Sequence, residues 1–88
     1  MEIELTDNAK ADLIYWKLNN QVKIIKRINI LLENILSSPY SGIGKPEALK
    51  YELSGFWSRR INHEHRIICA VSNNIIVIYS LKFHYTPE

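Results

Sequence analysis

Apolar residues recur at helical spacing in the first half of the chain and at strand spacing in the second half. Residues 2–5 alternate polar and apolar, and this pattern predicts a short first strand. Thr6 follows as a helix N-cap, and Asp7 lies in the first turn, where a carboxylate complements the helix dipole. The helix is predicted to run to about Asn19, and its apolar side chains are those of Ala9, Leu13 and Trp16.

A second helix is predicted from about Gln21 to Ser37, after a turn at residues 19–20. Its apolar stripe comprises Val22, Ile25, Ile28, Leu32, Ile35 and Leu36. The basic residues expected to face outward are Lys23, Lys26 and Arg27. Two helices joined by a short turn should form an antiparallel hairpin. Residues 37–47 hold two of the three glycines and two of the three prolines, so a loop is predicted to follow the helices.

From residue 51 onward the pattern becomes strand-like, with three β-rich runs: FWSRRIN, RIICAV and IIVIYSL. Residues 62–65 form a tight link between the first two runs, and residues 72–74 form a hairpin turn before the third. These features predict an antiparallel meander with the helical hairpin packed on one face. The predicted fold class is α+β, in one domain spanning residues 1–88, and the other sheet face is free to meet a partner.

Composition narrows the class of protein. An apolar fraction of 47% is typical of a globular chain. The single cysteine, Cys69, has no partner for an internal disulfide, and neither a secretory segment nor a membrane-spanning run is evident, so we expect a cytoplasmic protein without membrane association. The net charge is only +2, but residues 45–88 carry six Lys and Arg against four Asp and Glu, with all three histidines. Such a local excess of positive charge attracts phosphates.

Taken singly, most polar candidates have an ordinary structural explanation. Pro46 could open a short helix, in which Glu47 complements the dipole and Lys50 pairs with Glu47 on one helical face. Alternation along a strand places Arg59 and Arg60 on opposite sheet faces, so at most one of them can join a given site.

The remaining candidates lie around the first hairpin and near the end of the chain. Arg60 and Arg66 share a face only if the loop that connects them has an odd number of residues, and together they would form a cationic site of phosphate size. His63 and His65 are interpreted as exposed turn residues, whereas His84 could equally be idle or catalytic. The residues assigned to the core or to a sheet face are Phe56, Trp57 and Cys69.

As a set, the candidates supply a carboxylate, an imidazole, guanidiniums, an amine and a terminal phenol. They include no metal-ligand cluster and no nucleophilic Ser or Cys, so neither a metal nor another cofactor is expected. Such a set suits a reaction in which the substrate provides its own nucleophile, as RNA does through its 2′-hydroxyl. A base takes the 2′-OH proton, a cation neutralises the phosphorane, and an acid protonates the departing 5′-oxygen.

Four segments carry a resemblance to a known family: YW at 15–16, SPYSGIGKPEALK at 38–50, LSGFWSRRINHEHR at 53–66 and FHY at 83–85. On these segments the chain resembles the YoeB/Txe toxins of type II toxin–antitoxin modules, within the RelE/ParE superfamily. The resemblance implies a microbial-ribonuclease fold of the RelE type and a ribosome-dependent mRNA interferase that cleaves mRNA in the 30S A site and inhibits translation. It also implies a YefM-type antitoxin, a homodimer, and contact with operator DNA only through the antitoxin.

The resemblance assigns roles to six positions. The catalytic positions fall on Glu47, Arg66 and His84, and the substrate-binding positions on Lys50, Arg60 and Tyr85. We interpret Glu47 as the general base, His84 as the general acid and Arg66 as the stabiliser of the transition state. The reverse assignment of base and acid stays open.

Two other classes of function compete with the ribonuclease. A non-catalytic ParE-like inhibitor would act by binding and would not need the Glu–Arg–His combination. A plain nucleic-acid-binding module would use the free sheet face, with a steep salt dependence and no loss of function on His84→Ala.

Overall fold

Two helices and five strands build the part of the chain that the structure describes, residues 1–82 of this computed structural model. The predictions for His84 and Tyr85 therefore lie outside the described residues. The elements are β1 (Glu2–Leu5), α1 (Asp7–Leu18), α2 (Val22–Ser37), β2 (Glu47–Ala48), β3 (Trp57–Arg60), β4 (Arg66–Ser72) and β5 (Ile75–Ser80), with one turn of 3₁₀ helix at Tyr51–Leu53.

The first helix begins and ends as its sequence predicts. The Thr6 hydroxyl accepts a hydrogen bond from the Ala9 backbone N–H at 3.2 Å, which is the N-cap geometry. At the other end, Asn20 adopts a positive φ of 53°, a conformation that asparagine tolerates better than most residues. The turn between α1 and α2 is thus confirmed, as are both helices.

The apolar stripe of α2 is rotated slightly from its prediction. Its fully buried residues are Ile28, Leu31 and Ile35, at the i, i+3, i+7 spacing of one helix face. Leu31 was not part of the predicted stripe, whereas Val22 and Leu36 were and are exposed. Both of these exposed residues lie within one turn of an end of the helix.

The five strands form one sheet in the order β1-β5-β4-β3-β2. Strands β2 to β5 pair antiparallel, which confirms the meander. Strand β1 instead pairs parallel with β5, so the sheet is mixed. The β4–β5 turn places both Asn73 and Asn74 at positive φ (50° and 65°), which is the signature of a type I′ hairpin turn.

The hydrophobic core lies between the helical hairpin and one face of the sheet. From the sheet it takes alternate residues such as Ile67, Cys69 and Ile78, and from the helices Trp16 and Ile28. We call this the helix face of the sheet and the opposite one the outer face. No helix within residues 1–82 combines the length and the apolar character that crossing a membrane requires.

Candidate active site

Strand register brings three of the candidate residues to the outer face. Glu47 on β2 pairs with Ser58 on β3, and Arg60 lies two residues further along β3. Arg60 pairs directly with Arg66 on β4, across a loop of five residues, so the condition of an odd loop length is met and the two arginines share a face. From strand spacing, the Cα atoms of Glu47 and Arg66 are about 12 Å apart. At this separation, the long side chains of Glu47 and Arg66 can both reach a single phosphodiester group.

The guanidinium of Arg66 is fixed by the loop that precedes it. Its Nη1 donates to the carbonyl oxygens of Asn62 at 2.8 Å and of His63 and His65 at 3.2 Å each. Within the described residues all hydrogen bonds of this side chain use Nη1, which leaves Nη2 and Nε for an external acceptor. Half-buried and held in this way, Arg66 offers a preorganised donor pair of the kind that binds phosphate oxygens.

Glu47 stands in a strand and not in a helix. The expectation that Pro46 opens a short helix is wrong, because Glu47–Ala48 forms β2 and pairs with β3. Lys50, three residues further along the extended chain, consequently does not pair with Glu47 on a helical face. Glu47, Lys50 and Arg60 are all exposed, and their side chains make no ion pair or hydrogen bond within residues 1–82.

The loop before Glu47 is held by a buried arginine. The Arg59 guanidinium donates to Asn34 Oδ1 on α2 and to three loop carbonyl oxygens, over distances of 2.5 to 3.1 Å. The three acceptors belong to Ser38, Ser41 and Ile43. Burial lowers the pKa of Arg59 below its ordinary value, the largest cause being desolvation. The predicted separation of Arg59 and Arg60 onto opposite faces is confirmed, and Arg59 serves the loop.

Gly44 allows the loop before Glu47 to lie directly against strand β3. Gly44 has a φ of +81°, and its carbonyl accepts from the Arg60 N–H at 2.6 Å. A Cβ at this position would lie 2.7 Å from Leu31 Cδ2. The loop therefore contacts β3 at Gly44, two residues before Pro46. We infer that this hydrogen bond determines where β2 begins.

His65 corrects the prediction that both hairpin histidines are exposed. His63 is exposed, but His65 retains only 7% exposure, and its ring packs edge-on against Trp16 with centroids 4.6 Å apart. Asn62 Oδ1 accepts from the backbone N–H groups of Glu64 and His65, which folds the loop inward. The alternation of β4 could have revealed this, because His65 lies two residues before the buried Ile67.

Cys69 is a core residue, as predicted. It is 2% exposed, and burial raises the pKa of its thiol to about 11, with the charge of Arg59 opposing this shift. The thiol is therefore protonated at neutral pH and is a poor nucleophile. No cluster of three or more His, Cys, Asp or Glu side chains that could hold a metal ion occurs in residues 1–82.

Comparison with known proteins gives one consistent result. The chain matches the family model of the YoeB-like toxin of bacterial type II toxin–antitoxin systems over residues 5–85. Toxin YoeB of Synechocystis sp. is 45% identical over 85 residues, which are 97% of this chain and 98% of the relative.

Two solved structures from Staphylococcus aureus share the fold. The YoeB dimer superposes with a TM-score of 0.86 at 45% identity and covers 97% of this chain and 98% of its own. The heterotetrameric YoeB–YefM toxin–antitoxin complex gives 0.84 at 46% identity, over 94% and 95%. The sequence and the fold of the chain that carries these outer-face residues both match one family over nearly the full length. This chain belongs to the YoeB-like toxins of bacterial type II toxin–antitoxin systems.

Proposed function

We propose that this toxin is a metal-independent endoribonuclease that cleaves mRNA in the ribosomal A site and thereby stops translation. The observation that carries the proposal is the register that collects Glu47, Arg60 and Arg66 on the outer face. A carboxylate between cations, open to solvent, is what the cleavage of a phosphodiester by its own 2′-hydroxyl needs.

Each candidate site residue within residues 1–82 has a role in this reaction. Glu47 removes the proton from the 2′-oxygen, which then forms a bond to phosphorus. Arg66 donates through Nη2 and Nε to the equatorial oxygens of the phosphorane, where negative charge develops. Arg60 and Lys50 bind phosphates on either side of the scissile bond. The bond from phosphorus to the 5′-oxygen then breaks and leaves a 2′,3′-cyclic phosphate.

The acid is assigned to a residue outside the described range. His84 protonates the departing 5′-oxygen, because an imidazole with a pKa near neutrality can donate at physiological pH. Tyr85 stacks on a nucleobase beside the cleaved bond. If the two roles are exchanged, His84 becomes the base and Glu47 the acid, and pH–rate profiles of the two single variants distinguish these cases.

In this proposal the ribosome holds the message in the geometry that in-line attack requires. A flexible RNA strand loses entropy when it is held in line for attack, and a message already bent in the A site has lost much of it. The exposed residues Lys23 and Lys26 on α2 lie on the opposite side of the molecule from the outer face and can contact ribosomal RNA.

Two protein partners follow from the related structures. The S. aureus relatives form a YoeB dimer and a YoeB–YefM complex, and we extend both associations to this chain. Exposed apolar residues on the helical hairpin support a protein interface: Ile14, Leu18 and Val22 are 55%, 77% and 57% exposed.

Translation of a defined message tests the activity. With the toxin present, primer extension should map the new 5′ ends of the downstream fragments to in-frame A-site positions. An intact message would favour the ParE-like inhibitor or the plain nucleic-acid-binding module.

A matched substrate tests the chemistry. A message with a single 2′-deoxy nucleotide at the mapped cleavage position should resist the toxin there, because the nucleophile is missing. The same substitution one codon upstream is the control and should leave cleavage unchanged. Cleavage at the deoxy position would exclude attack by the 2′-hydroxyl.

A further inference from the structure

Helix α1 holds both polar backbone groups of Leu81, the residue that follows β5. The Asp12 carboxylate accepts from the Leu81 N–H at 3.0 Å, and the Trp16 indole Nε1 donates to the Leu81 carbonyl oxygen at 2.9 Å. Asp12 and Trp16 are four residues apart, so they lie one above the other on the same face of the helix. We call this arrangement the Leu81 clamp.

The clamp is buried. Leu81 is 0% exposed, Trp16 4% and Asp12 8%. The Ser80 hydroxyl lies 3.5 Å from the same Asp12 oxygen and donates to the Lys82 carbonyl at 3.0 Å. Burying the Asp12 carboxylate costs free energy, because the charged group loses its hydration. A neutral side-chain oxygen could accept from the Leu81 N–H as well. Two side chains of α1 therefore bind one residue just beyond the end of β5.

Aromatic contacts extend the clamp to the next residue and to the active-site loop. The Lys82 ammonium lies 3.8 Å from the centre of the Tyr15 ring, next to Trp16 on α1. The Trp16 ring also packs against His65, which lies in the loop whose carbonyl oxygens bind Arg66. One tryptophan thus touches both the support of Arg66 and the end of the last strand.

We propose that Asp12 and Trp16 are positioning residues for the general acid. By binding both backbone groups of Leu81, the clamp fixes the position of this residue relative to α1. His84 is only three residues further along the sequence, so the proposal is that a displaced Leu81 displaces the acid from the 5′-oxygen. The inference rests on the proposed function, in which His84 is the acid. An alignment error of about 1 Å can cost up to about a hundredfold in rate.

Variants at Asp12 provide the first test, by single-turnover cleavage of message on programmed ribosomes. Asp12→Ala should lower the cleavage rate by about ten- to a hundredfold, while the toxin concentration for half-maximal rate stays the same. Asp12→Asn keeps an acceptor for the Leu81 N–H and should restore most of the rate. Asp7→Ala removes a carboxylate from the same helix away from Leu81 and should cleave at the wild-type rate.

Trp16→Phe is the second variant and decides the matter if Asp12→Ala fails to fold. It retains an aromatic ring against His65 and loses only the donor to Leu81. It should also lower the rate without a change in half-maximal concentration. A wild-type rate in both variants would overturn the clamp proposal, as would a wild-type rate in Trp16→Phe alone if Asp12→Ala does not fold.

A double-mutant cycle with His84→Ala separates this inference from the proposed function. If the clamp acts through His84, Asp12→Ala should have almost no further effect once His84 is removed. An equal effect in both backgrounds would overturn the clamp proposal. A wild-type rate for His84→Ala alone would instead refute the assignment of the acid, and with it the basis of this inference.

Discussion

Arg59 and Arg60 are neighbours with opposite environments, because a strand sends successive side chains to opposite faces. Arg59 is 1% exposed and binds Asn34 together with loop carbonyls, whereas Arg60 is exposed on the outer face. A buried guanidinium without a carboxylate partner in the described residues depends entirely on these acceptors.

Replacement of Arg59 should therefore be far more damaging than replacement of Arg60. Arg59→Met removes the buried donor of four hydrogen bonds that hold the loop to α2, and it should lower the free energy of unfolding by about 3–5 kcal/mol. Arg60→Met should change it by less than about 0.5 kcal/mol. Urea unfolding of both variants measures the difference, and equal stabilities would contradict the assigned role of Arg59.

Cys69 should leave a signature in the pH dependence of stability. Its pKa rises from 9.0 to about 11 on folding, so between these values the unfolded chain loses a proton that the folded chain keeps. The stabilisation is complete below pH 9 and decreases as the pH rises toward 11, by up to about 1.4 kcal/mol per pH unit. Cys69→Ala should show a shallower decline over this window. Parallel curves for the variant and the parent would contradict the shift.

At the scale of elements, the loop between α2 and β2 determines where Glu47 lies. Residues 38–46 contain no regular secondary structure, and their conformation depends on Arg59, on Asn34 and on Gly44. The conformation of this loop thus depends on tertiary contacts as well as on local hydrogen bonds.

Gly44→Ala should disturb both stability and cleavage. The new Cβ would stand 2.7 Å from Leu31 Cδ2 and 3.3 Å from the Arg60 carbonyl, at a φ that favours glycine. We expect a loss of about 1–3 kcal/mol in unfolding free energy, and a lower cleavage rate because β2 shifts. Gly55→Ala is the control: its φ is also positive, at 96°, but no atom lies within 4 Å of the added carbon. Equal cleavage by the two variants would argue against the loop's role.

The sequence pattern predicted the elements better than their environments. Both helices and the meander follow from period and turn residues, since these signals are local. The parallel pairing of β1 with β5 joins residues more than seventy positions apart, and no local signal specifies it. His65 was assigned to the surface because it is polar and lies in a loop, yet Trp16 buries it.

The candidate site was predictable only in part, for a related reason. Alternation separated Arg59 from Arg60, and register confirmed that Arg60 shares a face with Arg66. The resemblance to the toxin family supplied the roles, which stay predictions. The sequence gives no indication of the role proposed for Asp12, because an acidic residue within a helix carries no local sign of a partner near residue 81.

At the scale of the whole molecule, the two sides of the sheet serve different purposes. Reaction chemistry is assigned to the outer face, and the helical side supplies the core and the exposed lysines of α2. Lys23→Glu with Lys26→Glu should weaken ribosome binding and make its dependence on salt concentration shallower, because fewer phosphates are neutralised, while the single-turnover rate at saturation stays the same. The control is Glu33→Lys on the same helix, which should not weaken binding. Unchanged affinity in the lysine variant would remove α2 from the ribosome interface.

The central claim is that Glu47 and Arg66 act together on one phosphodiester, and its most direct test is the single-turnover rate of mRNA cleavage on programmed ribosomes. Glu47→Gln should slow cleavage by about a hundredfold or more, and Arg66→Met by about a hundred- to a thousandfold. Toxin binding to the ribosome should persist in both variants. Cleavage at the wild-type rate by either variant, at the same positions in the message, would contradict the account.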